Sequence, residues 1–222
     1  MWHWLGRVPF PDGAALQQNL RVAIREQRAP ETLLLLEHDA VITLGKSAHP
    51  DNVLQSATAL AARGISLCRA SRGGDVTFHG PGQLVGYPIV RLRAGVRAHV
   101  EGMAAALQEV LAELGVVARY KQEAPGLWVD TPMGEAKICA FGVSVHHRIT
   151  MHGFALNLDP DLDAFGLIVP CGLAGCKVTS VRALRGSAPT PSQLSMRVAD
   201  ALGARLGVTF HASRSLPDCN AA

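Results

Sequence analysis

The stretch Arg72 to Pro88, RGGDVTFHGPGQLVGYP, constrains the fold more than any other part of the chain. Glycines at 73, 74, 80, 82 and 86 crowd around Arg72, Asp75, Thr77 and His79, and an apolar run follows from Leu84 to Val90. Glycine loses the most backbone entropy on folding, so a cluster of them marks unusual dihedrals or close approach of the backbone to something else. A solvated hairpin has no need of an arginine, a histidine and Gly-Pro-Gly in so few residues. The stretch reads as a ligand-holding loop that opens into a strand.

The rest of the chain supplies a large core around that loop. Thr32 to Glu37 reads as a buried strand with four leucines, and Ala40 to Leu44 as a second strand after a turn at His38-Asp39. Residues 2 to 10 read as a short edge strand. Helical spacing of apolar residues marks Gly13 to Gln27, a short helix from Gln55 to Arg63, and Val96 to Leu114, which stops at Gly115. Further strands are expected at Ile65 to Ala70, Leu84 to Leu92, Val116 to Tyr120, Leu127 to Val129, Ala136 to Val145 and His152 to Leu158. Pro88 argues that its strand lies at an edge or beside a bulge. Ser192 is the expected cap of a last helix to about Leu206, and Val208 to His211 a last short strand. The mixed order predicts an α+β fold, a mixed sheet flanked by helices. We expect one domain over residues 1–216 and a loose tail over 217–222.

Composition excludes several classes. Of the 222 residues 48% are hydrophobic and 18% charged, as in a globular protein, and the formal charge of +3 is too small to argue for nucleic acid. It would not repel a small acidic protein. No apolar run is long enough to span a membrane, and the N-terminus lacks the pattern of a secretory signal, so the expected location is the cytoplasm. The five cysteines are odd in number and form no CxxC, which favours reduced thiols. No GxxxxGK[ST], no strand-linked GxGxxG and no GxSxG elbow occurs. His146, His147 and His152 lack acidic or cysteine partners at ligand spacing, so no metal site and no cofactor are expected.

Two residues stand out as chemistry. Cys171 lies between Pro170 and Gly172 in a segment without regular pattern, where a thiol can face a cleft. Cys68, Cys139 and Cys176 read as small buried hydrophobes. A free thiol is mostly protonated at neutral pH, so it needs a helper. Lys137 is the favoured one: it heads a strand in which Lys137, Cys139, Phe141, Val143 and Val145 share a face by strand alternation. A desolvated amine gives up its proton more readily and can act as a base, although an exposed strand end fits the same pattern. His79 and His152 read as polar groups lining a pocket.

These segments, with APGLWV at Ala124 to Val129, AKICAFGVSV at Ala136 to Val145, HGFALNL at His152 to Leu158 and PCGLAGCKVTSV at Pro170 to Val181, together resemble the octanoyltransferases of lipoate biosynthesis. The resemblance implies a fold like the catalytic domains of lipoate and biotin protein ligases. It implies that an octanoyl group moves from acyl carrier protein to one lysine of a lipoyl domain, in 2-oxo acid dehydrogenase complexes or the glycine-cleavage H protein. The family's nucleophile falls on Cys171 and its activating lysine on Lys137. Its substrate contacts fall on Arg72, Gly73, Gly74, Asp75, Val76, Thr77, Phe78 and His79, on Ala140, Phe141 and Gly142, and on Gly153, Phe154 and Ala155. Phe78 stands where the family more often has tyrosine. Transfer between thioesters needs no ATP, which suits the missing nucleotide motifs, and amides near Gly172 or Gly142 are expected to hold the oxyanion. An ATP-using ligase on the same scaffold and a silent lipoyl-domain binding module are the alternatives.

Overall fold

The computed structural model describes residues 1–170, 175–213 and 215–217. In chain order the elements are β1 (Trp2–Val8), α1 (Phe10–Arg25), β2 (Thr32–His38), β3 (Val41–Leu44), α2 (Ala57–Ala62), β4 (Ser66–Arg69), β5 (Val76–His79) and β6 (Gln83–Ile89). The second half adds α3 (Val96–Glu113), β7 (Arg119–Lys121), β8 (Gly126–Thr131), β9 (Gly134–His146), β10 (Ile149–Asn157), β11 (Lys177–Val178), α4 (Val181–Arg185) and α5 (Pro191–Leu206). The large sheet runs in the order β1-β2-β6-β10-β9-β8-β7, with β11 alongside β9, and a small sheet has the order β4-β3-β5. β1 and β2 are parallel, as are β9 and β11, while the other ladders of the large sheet are antiparallel. The expected mixed sheet with flanking helices is what forms.

The four leucines of β2 explain the layering. Leu33 and Leu35 face α3 and α5 with Met103, Leu107 and Leu202, whereas Leu34 and Leu36 face α1 with Leu20 and Ile24. A strand apolar on both faces must lie between two layers. Each fully buried leucine contributes about 1.5–3 kcal/mol, so β2 alone anchors the sandwich. A third cluster, with Ile42, Leu60, Phe78 and Phe165, holds the small sheet.

Several expectations need correction. The turn at His38-Asp39 does not join paired strands, because β2 and β3 belong to different sheets. The opening loop contains a strand of its own, β5, antiparallel to β3. Helix α1 begins at Phe10, with Pro11 in its first turn, where a missing N–H costs nothing. α5 is capped by Thr190, not Ser192: the Thr190 hydroxyl accepts from Gln193 N–H and the Gln193 side chain returns to Thr190 N–H. Val208 to His211 forms no strand. Arg214 and residues 218–222, most of the predicted tail, lie outside the described residues.

Pro88 lies in a central strand, between β2 and β10. The pairs Phe154↔Gly86 and Arg91↔Ile149 put His152 opposite it. Proline has no N–H to give, and His152 answers by taking a left-handed φ of 58° and donating its own N–H to Gln17 Oε1 of α1 at 2.7 Å. The ladder resumes at Thr150 N–H to Val90 O, 3.0 Å. One proline thus places one histidine at an irregular point of the sheet.

Candidate active site

A second irregularity places Lys137. In the β8–β9 ladder Leu127 opposes Cys139, but the next residue, Trp128, opposes Lys137, so Ile138 is bulged out of the pairing. The bulge breaks strand alternation. Lys137 therefore does not share a face with Cys139, Phe141 and Val143, as simple period-two reading predicts. Ile138, Cys139 and Leu127 pack under α3 and α5, while Lys137 comes to the opposite face beside Trp128. Its Nζ lies 4.8 Å from the Trp128 ring centre, and Lys121 Nζ lies 5.1 Å from the same ring. Trp128 is itself held by its indole N–H to Ala124 O, 3.0 Å. Gly126 makes room for the lysine stem, since a Cβ there would sit 2.9 Å from Lys137 Cε. Lys137 is 4% exposed, so it is no solvated strand end.

β8 leaves β9 at the pair Gly126↔Ala140, and among the described residues the edge of β9 beyond it is open until Gly73 N–H reaches Val143 O at 3.0 Å. A cleft of about 540 Å³ wraps this edge. Val96, Val100, Tyr120, Phe141, Val143 and Phe154 give it an apolar side, and Arg72, Thr77, His79, Tyr87, Lys137 and His152 a polar one. Where β9 and β10 pair Gly142 with Gly153, side chains have no space: a Cβ on Gly142 would meet Gly73 O at 3.1 Å, and one on Gly153 would meet Gly86 O at 2.3 Å.

Of the site residues singled out in the sequence, those that are described converge on this cleft with one exception. Arg72, Gly73, Gly74, Asp75, Val76, Thr77 and His79 line it, together with Lys137, Ala140, Phe141, Gly142, Gly153, Phe154 and Ala155. Phe78 is not among its lining residues: its ring packs edge-on against Phe165, 5.4 Å away, in the small-sheet core. The difference from tyrosine at this position thus lies off the cleft. Cys171 and Gly172 lie outside the described residues. Their flanks are placed, however: Pro170 lines one small cavity with Lys137, and Val178 pairs with Lys137 across β11 and β9.

The polar side carries Arg72 and a cluster of uncharged histidines. Arg72 is buried and donates to Thr43 through Nε and Nη2, at 3.2 and 2.8 Å to the hydroxyl and 2.6 Å to the carbonyl. Burial, helped by the neighbouring Arg72, His38, Lys46 and Arg21, pushes His152 down to about pKa 4, and its Nε2 pairs with Ser71 Oγ at 2.9 Å. Burial, then the neighbouring His38 and the Arg72 guanidinium, likewise holds His79 well below its ordinary value. His38 is lowered by burial and bridges Val8 O and the Tyr87 hydroxyl, at 2.6 and 2.7 Å. Asp75 turns away from this cluster, accepting from His49 N–H and Asn52 Nδ2 at 3.1 and 2.5 Å. Burial drives the Cys139 thiol far up, so it is inert as a nucleophile, while Cys68 and Cys176 are half-buried. Among the described residues no group of three or more metal-ligating side chains forms, and no helix is long and apolar enough to cross a membrane.

Thr43, Gln83, Asn157 and Trp128 escaped the sequence reading. None stands in a nucleophile or ligand pattern, and each matters through a partner distant in the chain. The tryptophan inside GLWV beside a glycine was the one available signal.

Comparison with known proteins gives the family of the chain. Residues 11–203 match the family model of the lipoyl protein ligase A/B catalytic domain. An octanoyltransferase of Chloroflexus aurantiacus is 42% identical over 212 residues, covering 94% of this chain and 92% of that one. One from Acidobacterium capsulatum is 45% identical over 190 residues, covering 80% and 77%. In fold, a bipartite lipoate protein ligase from Thermoplasma acidophilum superposes with a TM-score of 0.70 at 17% identity, over 95% of this chain and 85% of that one. A lipoate-protein ligase A bound with ATP gives 0.71 at 16% identity, over 95% and 87%. The chain belongs to the octanoyltransferase family and carries the lipoyl protein ligase A/B catalytic domain.

Proposed function

We propose that this protein moves an octanoyl group from acyl carrier protein to a lysine of a lipoyl domain through a thioester on Cys171. The observation that carries the reading is Lys137, buried in the cleft with both flanks of the Cys171 segment, Pro170 and Val178, against it. Lys137 takes the thiol proton. The Cys171 thiolate attacks the donor thioester carbonyl, the donor C–S bond breaks, and the carrier leaves as its thiol. The acceptor lysine then attacks the Cys171 thioester, an amide forms, the thiolate leaves again, and Lys137, having returned its first proton to the carrier thiol, takes the proton the amine gives up. A thioester is activated enough for both steps, so no nucleotide takes part.

The apolar side of the cleft suits the chain. Burying about six methylenes at ~0.8 kcal/mol each contributes ~5 kcal/mol before the costs of association. The polar side, with Arg72, Lys137 and backbone along Gly142, is where developing charge on the carbonyl oxygen is met. Acceptors are lipoyl domains of 2-oxo acid dehydrogenase complexes and the glycine-cleavage H protein, and a reducing cytoplasm keeps the thiol free.

The test compares transfer by the wild type, Cys171→Ser and Lys137→Met. The reading expects transfer from octanoyl carrier protein without ATP, and its loss in both variants. Transfer that needs free octanoate and ATP, or that survives in Cys171→Ser, overturns it.

A further inference from the structure

Behind the polar side of the cleft lies a buried hydrogen-bond chain whose proton directions are fixed. The Thr179 carbonyl can only accept, so Asn157 Nδ2 is the donor at 3.0 Å and Asn157 Oδ1 must face Gln83. Gln83 Nε2 donates to that oxygen at 2.9 Å and to Phe78 O at 3.2 Å, which uses both amide hydrogens. Gln83 Oε1 is left for His79 Nδ1 at 2.8 Å, so Nδ1 carries the hydrogen. Nε2 of the neutral ring then accepts from the Thr43 hydroxyl at 3.3 Å. Both remaining lone pairs of that hydroxyl are taken by Arg72 Nε and Nη2. At the far end, Thr179 N–H donates to Lys137 O at 3.0 Å.

We infer that Asn157 is a positioning residue: it ties Gln83, which holds His79 in its neutral Nδ1–H form, and with it the cleft wall at Arg72, to the strand start that carries Lys137. Asn157 is 4% exposed and both ends of its amide are engaged, so it has no second orientation to adopt. The consequence for chemistry is a division of labour. A proton arriving at His79 Nε2 would point at a Thr43 oxygen with no lone pair left, so His79 cannot relay protons although it lines the cleft. Of these two, Lys137 is the one left to act as the base. The kinetic part of this inference rests on the octanoyl-transfer reading, whereas the proton assignment does not.

The test uses full-length protein labelled with ¹⁵N at histidine. In the wild type His79 is expected neutral with Nδ1 protonated at pH 7. Asn157→Leu removes the link to Thr179 but leaves Gln83 Nε2 on the Phe78 carbonyl, so the His79 tautomer is expected unchanged. Formation of the octanoyl-enzyme at saturating carrier protein falls roughly ten- to a hundredfold, as expected when a reacting group is misplaced by a fraction of an ångström to an ångström, with KM little changed. If Asn157→Leu does not fold, Asn157→Asp replaces it: the oxygen facing Gln83 remains, the donor to Thr179 is lost, and the expectation is an unchanged His79 tautomer with slowed acylation. A wild-type His79 protonated at Nε2, or either folded variant with undiminished acylation, overturns the inference. A wild type that forms no octanoyl adduct refutes the functional reading instead, and the ¹⁵N signals still decide the proton assignment.

Discussion

Replacing Thr43 by valine keeps the shape of the side chain and removes one oxygen, which tests whether the polar wall is held as described. That oxygen accepts from Arg72 Nε and Nη2 and donates to His79 Nε2. Arg72 Nη2 keeps the Thr43 carbonyl at 2.6 Å, so the loss counts as one charge-assisted bond and one neutral one. A hydrogen bond to a charged group contributes about 1.5–3 kcal/mol, and the long bond to His79 at most about 1. Thr43 and His79 are buried, so water does not replace the oxygen, and the expected cost is roughly 2–4 kcal/mol. Urea unfolding at neutral pH measures it as a lower midpoint at unchanged slope. Thr43→Ser is the control: it keeps the hydroxyl and loses a methyl, for about 1 kcal/mol. A valine variant within about 1 kcal/mol of wild type, or one no worse than serine, would refute the account of this wall.

The buried histidines set a pH dependence. His99 and His152 are each held down to about 4 by burial, from an ordinary 6.5, so between those values the unfolded chain binds more protons. Their stabilisation is present above pH 6.5 and fades toward pH 4, on the order of 3 kcal/mol each in full. Urea midpoints that fall from pH 7 to 5, and fall less steeply in His152→Gln, are expected, and a flat profile contradicts the buried neutral state. Gly153→Ala puts a Cβ 2.3 Å from Gly86 O and 2.7 Å from Pro88 Cδ, and thermal unfolding should show a loss of about 1–3 kcal/mol or more. Trp128→Leu removes the ring beside Lys137 and Lys121, and a cation–π contribution of about 1–2 kcal/mol predicts acylation slowed about tenfold, with Trp128→Phe retaining most of the rate. Stopped-flow acylation by octanoyl carrier protein reads this, and an unchanged rate in the leucine variant would contradict the platform role.

The cleft was legible where the sequence spends unusual residues. Gly142 and Gly153 face each other across β9 and β10, in register and crowded by backbone on both sides, and glycine-rich segments announce such close approach. The leucine run of β2 read as buried because it is buried on both faces. Periodicity failed where pairing departs from regularity. Nothing local in AKICAF marks Ile138 as a bulge, since the missing partner is set by β8, and so the face of Lys137 was misread. Pro88 pointed to an irregularity, but that the answering residue is His152, 64 positions on, is a fact of register. The links Thr43–His79 and Gln83–Asn157 join residues 36 and 74 positions apart, and the pairing of buried polar groups leaves no periodic trace.

The most direct test of the central claim is the intact mass of the protein after brief mixing with octanoyl carrier protein, followed by peptide mapping. The account predicts one added octanoyl group, located on Cys171, released by hydroxylamine and discharged on adding a lipoyl domain. An octanoyl group on another residue, or complete transfer to the lipoyl domain with no adduct formed at any time, would contradict it.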